Sequence, residues 1–122
     1  MTTKKLKLYT WKENIVSVVV NRGEVNSRYI EVTFENTDGT LSLEGKQVTL
    51  YTEKPDGTKI FNNCTVDTEN NTATVSLTSQ MSSVAGSLDC EFQIIDANNS
   101  LLKVNGLQLV VASEKDFSEA VE

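Results

Sequence analysis

Apolar residues recur at every second position in short runs along this chain, and turn-forming residues separate the runs. A period of two lines one face of a pleated strand, whereas a helix needs apolar positions three to four apart. Ile30, Val32 and Phe34 share one face of such a strand, while Glu31, Thr33 and Glu35 share the other. Leu6 and Leu8 alternate with lysines, Val48 and Leu50 with polar residues, and Val75 and Leu77 restart the pattern. Leu88, Cys90, Phe92 and Ile94 form the longest inward stripe. The run from Ile15 to Val20 is more continuously apolar, which predicts a strand buried on both faces or one lying at a crossover.

The separators carry their own geometry. Asp38-Gly39 and Pro55-Asp56-Gly57 place glycine where a tight reversal needs positive φ, so the second predicts a hairpin from Lys54 into Thr58–Phe61. Polar turns are also expected at Thr68–Thr72 and Asp96–Asn99, and a bulge or bend at Gly106. Met81, Val84 and Ala85 break the alternation and predict one helical turn between Thr78 and Gly86. About seven to nine short strands make an antiparallel β-sandwich the leading architecture, with a closed barrel second.

The length of 122 residues fits one domain, which can bury roughly two thirds of its unfolded surface without metal or disulfide staples. Residues 1–112 are expected to form the sandwich, and 113–122 an acidic tail or the start of a linker to a further region. The net charge of −6 argues against a nucleic-acid binder, although four lysines gather early, at Lys4, Lys5, Lys7 and Lys12. No apolar run approaches the roughly 20 residues of a membrane helix. The first residues lack the apolar core of a signal peptide, so synthesis in the cytoplasm and no membrane partner are expected.

Catalytic chemistry finds little purchase. The chain has no histidine, which removes Ser-His-Asp and Cys-His mechanisms and histidine metal sites. Cys64 and Cys90 are too few for a structural zinc site and too far apart for a redox CxxC. Each falls on the inward register of its strand, so they read as buried thiols, with a core-bridging disulfide the alternative. Glu31, Glu35 and Glu91 lie on solvent faces, and Asp38, Asp56 and Asp96 in turns, not in a cleft that would pair two acids. The turn at Asp96–Asn99 lacks EF-hand ligand spacing. Tyr9, Trp11, Tyr29 and Tyr51 are candidates for a sugar-stacking platform or for core and rim positions. No catalytic, cofactor-binding or metal-ligating residue, and no cofactor, is assigned.

Four stretches in order resemble one family. The polar loop Asn21–Arg28, with its Gly23-Glu24 pair, runs into the strand Tyr29–Phe34. Leu43–Leu50 has a leucine, a small turn, a lysine and an alternating strand. Lys54-Pro55-Asp56-Gly57 runs through Phe61 to Cys64, and Leu77–Met81 is followed by Val84–Gly86 and another alternating strand. Over residues 20–111 the chain resembles the N-terminal domain of the baseplate upper protein of tailed phages of Gram-positive hosts. That resemblance implies an immunoglobulin-like β-sandwich with a structural, non-enzymatic role in a phage or prophage virion. It implies docking to the tail or baseplate core, with a further region forming a homotrimeric stalk that carries receptor-binding proteins. A carbohydrate-binding or adhesin-type sandwich is the competing reading. Leu6–Tyr9 and Leu101–Val104 are the candidate docking surfaces, lying near a chain end or next to a bend.

Overall fold

The structure, a computed structural model, describes residues 2–21, 28–78, 81 and 86–112. Among these residues ten strands follow in chain order: β1 Thr2–Tyr9, β2 Val16–Asn21, β3 Arg28–Asn36, β4 Gly39–Thr40, β5 Gln47–Glu53, β6 Lys59–Asn63, β7 Thr65–Asp67, β8 Thr72–Ser76, β9 Gly86–Ile95 and β10 Leu101–Ala112. They form two five-stranded sheets. One has the order β1-β3-β8-β7 with β4 beside β3, and the other the order β2-β10-β9-β5-β6. The fold is an all-β sandwich, and no helix among the described residues is long and apolar enough to cross a membrane.

Alternation becomes packing because every inward stripe meets one from the opposite sheet. Leu8, Ile30, Val32 and Phe34 from the first sheet, and Leu50, Leu88 and Phe92 from the second, are fully buried. Phe34 meets Phe92 edge to face, with ring centroids 5.5 Å apart at 75°. The positive edge of one ring against the negative face of the other favours that arrangement over a flat sandwich.

The turn chemistry acts as expected. Gly57 (φ +87) donates to the Lys54 carbonyl at 2.9 Å, and Lys54 donates to Thr58 at 2.8 Å, closing the hairpin of β5 and β6. At the turn after β9, the Asp96 carboxylate accepts from the Asn98 and Ser100 amides, and Asn99 takes φ +63. One Asp96 oxygen thereby serves the backbone of its own turn.

Two expectations need correction. The sheets are mixed and not wholly antiparallel: β1 pairs parallel with β3 over Thr2–Tyr9, and β2 pairs parallel with β10 over Val16–Asn21. The cause is that β1 and β2, though adjacent in sequence, close different sheets, so neither is the hairpin partner of the other. The Ile15–Val20 run is also not buried on both faces. As a terminal strand β2 buries Val18 and Val20 and leaves Ile15 92% and Val19 58% exposed. The expected helical turn between Thr78 and Gly86 and the acidic segment 113–122 fall largely or wholly outside the described residues.

Phe92→Ala should destabilise the fold by about 3–5 kcal/mol, because it removes a fully buried ring and its inter-sheet partner contact. Urea unfolding followed by Trp11 fluorescence or circular dichroism measures it.

Candidate docking surface

The strand change from β1 to β2 needs six residues, 10–15, to leave one sheet and enter the other. Asn14 holds that passage. Its side chain is buried, accepts from the Tyr9 amide at 2.7 Å, and donates to the Tyr9 carbonyl at 2.9 Å and the Asn105 carbonyl at 3.0 Å. One carboxamide thus ties the end of β1 to the middle of β10. It can do so because β10 bulges: its register against β9 shifts between Asn105 and Leu107. Gly106, at φ +103, lies directly beneath Asn14, and a Cβ there would overlap the Asn14 carbonyl. The sequence flagged the Gly106 bend. It gave no sign that Asn14 would pack on it, because that contact spans most of the chain.

The same passage lifts Trp11 to the surface, 53% exposed. The Tyr9 and Trp11 rings meet edge on, 6.0 Å apart. The Lys12 ammonium lies 4.2 Å from the Tyr9 ring centroid and 5.0 Å from that of Trp11, close enough for a cation–π attraction to both. Beside them, the outer face of the second sheet holds an open depression of about 660 Å³ bordered by Ile15, Tyr51, Glu53, Asp89, Glu91 and Lys103. Two of its carboxylates accept from side-chain amides: Gln93 donates to Glu91 at 2.8 Å and Gln108 to Asp89 at 2.9 Å.

The four residues of the suggested aromatic platform do not meet. Tyr9 pairs with Trp11, Tyr51 stacks with Phe61 on the other sheet at 5.8 Å, and Tyr29 lies on β3. Of the two surfaces suggested by sequence, Leu6–Tyr9 is a sheet edge whose leucines turn inward, Leu8 fully so. In Leu101–Val104, Leu101 is half exposed and Val104 is buried. The acids named above are distributed over both sheets and several turns. Asp56 is held below its ordinary pKa by hydrogen bonds from Thr58, and Asp67 by hydrogen bonds from Asn70, the opposite of what a proton-donating acid requires. Among the described residues no three histidine, cysteine or acidic side chains gather where they could hold a metal ion.

Both cysteines are free. Burial pushes the Cys64 thiol up to about 12 and the Cys90 thiol to about 11, from an ordinary 9.0. Thr52 lies 3.6 Å from the Cys90 sulfur, a contact that opposes the shift only in part. Neither sulfur is a nucleophile near neutral pH.

Two outcomes follow from this geometry. Asn14→Ala should cost about 2–3 kcal/mol by leaving the Tyr9 amide and two carbonyls without their partner, and Gly106→Ala about 3 kcal/mol or more through collision and a disfavoured φ. Denaturant melts of the two variants check both. The raised thiols set an alkaline limit: the unfolded chain releases thiol protons above pH 9 that the folded chain keeps, so their contribution is complete below pH 9. Stability should fall as pH climbs from 9 toward 12, and a Cys64→Ala/Cys90→Ala variant should lose part of that dependence in melts across the range.

With the geometry in view, comparison with known proteins gives a coherent result. No curated protein matches the sequence. The structure is similar to the N-terminal domain of phage TP901-1 ORF48, with a TM-score of 0.73 and 17% identity, over 91% of this chain and 98% of that one. At that identity the likeness speaks to the fold. The model of the BppU N-terminal domain matches residues 3–121, which takes in every strand from β2 to β10 and nearly all of β1. The chain therefore belongs to the BppU N-terminal domain family, the family of phage baseplate structural components that its motifs resemble.

Proposed function

We propose that this domain is a rigid, non-catalytic adaptor that docks onto the core of a phage tail baseplate and links it to receptor-binding proteins. The family match over residues 3–121 carries the reading, since it spans the whole described sandwich. In this reading residues 1–112 are the docking unit, and a further region of the protein supplies the link outward as a homotrimeric stalk.

The surface suits this work. A two-sheet sandwich with fully buried inter-sheet aromatics presents its outer faces as fixed shapes, so docking costs little ordering entropy. Trp11 stands out from the β1–β2 passage, and a large aromatic of this kind commonly carries an interface. The absence of histidine, the lowered carboxyls and the raised thiols all fit a protein that holds and does not react.

The test mixes the purified domain with the purified core proteins of a baseplate encoded beside it and follows complex formation by size-exclusion chromatography with light scattering. Stoichiometric binding, weakened at least tenfold by Trp11→Ala without change in the melt, is the expected result. No binding to any core protein, or turnover of a substrate by the isolated domain, would count against the adaptor.

A further inference from the structure

A sheet edge offers unpaired amides and carbonyls to any passing strand, and proteins blunt their edges with charge, proline or brevity. Among the described residues, four strands end the two sheets, and the two-residue β4 beside β3 is too short to offer an edge. β1 carries exposed Lys4, Lys5 and Lys7, β6 begins on Lys59 and ends on two asparagines, and β7 has three residues and ends on Asp67. β2 alone carries no charge. Its six residues are Val16, Ser17, Val18, Val19, Val20 and Asn21, rich in the β-branched type that favours pairing. It pairs with β10 on one side, and on the other it makes no backbone hydrogen bond to a described residue. Exposed Ile15 and Val19 add apolar surface along the same edge.

We infer that the free edge of β2 is a strand-addition site for β2 of a second copy of this chain. The occupant follows from register and charge. A twofold axis through Val18 sets the strands antiparallel and places each Val18 opposite its mate, Val16 opposite the partner's Val20 and Ser17 opposite the partner's Val19. Core-facing valines then meet core-facing valines, and solvent-facing residues meet solvent-facing ones, as the pleat requires. No charge opposes a like charge. The same operation on β1 would set lysine against lysine, with Lys5 opposite the partner's Lys7, a destabilising arrangement. Pairing over β2 joins the two β2-containing sheets into one continuous sheet across both copies and covers Val19. A contact of this length buries less than the roughly 1,200 Å² of a standard interface. It is therefore weak between free domains and gains strength where copies are held side by side.

The experiment uses the whole chain and two variants at solvent-facing positions, Ser17→Lys/Val19→Lys and Ser17→Glu/Val19→Glu. Sedimentation equilibrium of the wild type up to about 1 mM should show a reversible dimer. Amide hydrogen exchange in β2 should slow as concentration rises while other edges stay unchanged. Each variant should raise the dimer dissociation constant at least tenfold. An equimolar mixture of the two should restore association, because the lysines of one then face the glutamates of the other. A wild type that stays monomeric at about 1 mM, or a dimer unaffected by either variant, would overturn the inference. So would a β2 edge protected only when another tail protein is added, since that assigns the edge to a different occupant. If a variant fails to fold, the concentration dependence of β2 exchange in the wild type decides alone. Adaptor binding to core proteins is read separately, so failure here leaves that reading standing or falling on its own assay.

Discussion

One buried carboxamide allows this sandwich to close. Asn14 sits where the chain leaves one sheet for the other, and its three hydrogen bonds fasten the end of β1 to the bulge in β10. Without that fastening, residues 10–15 would be held only by the contacts of Thr10 with Glu35 and Asn36 at one end and by the β2–β10 ladder at the other. The bulge and the clamp fit each other: Gly106 leaves room for the Asn14 backbone, and the Asn14 side chain donates to the Asn105 carbonyl beside the irregularity. The placement of Trp11 and Ile15 on the outside depends on the same few atoms.

Most of the strands were legible from the alternation of residues such as Ile30–Val32–Phe34 and Leu88–Cys90–Phe92–Ile94, because a two-residue period has a single physical realisation. The turns at Pro55–Gly57 and Asp96–Asn99 were legible for a related reason: their side chains and φ preferences act locally. What could not be read was partnership. Alternation says which side of β1 faces inward, but nothing within Thr2–Tyr9 says that its neighbour is β3 in parallel. The Ile15–Val20 run left two readings open, burial from both sides or a place at a crossover, and β2 takes the second: it follows directly on the change of sheet and its other side is open. Asn14 was invisible, as one asparagine among many with its partners far along the chain.

The candidate surface shows the same division. Exposed aromatic positions were visible as residue types, yet their grouping was not: Tyr9 with Trp11 at the sheet change, Tyr51 with Phe61 on the second sheet. Family membership came through order and spacing of short motifs, which survive in sequence where tertiary contacts do not. Fold and family thus reach the same kind of molecule by separate routes, one through packing and one through motif order.

The parallel pairing of β2 with β10 has a mechanical meaning. Six consecutive residues of each strand, Val16–Asn21 and Leu107–Ala112, are joined in parallel register. Tension entering the chain ahead of Val16 and leaving beyond Ala112 pulls these neighbours past each other along their length. The ladder is then loaded in shear, all its bonds sharing the force at once, where a hairpin pulled from its open end would yield one bond at a time. A tail part of this build transmits a tug through the domain as a taut link and gives way only when the whole ladder fails together.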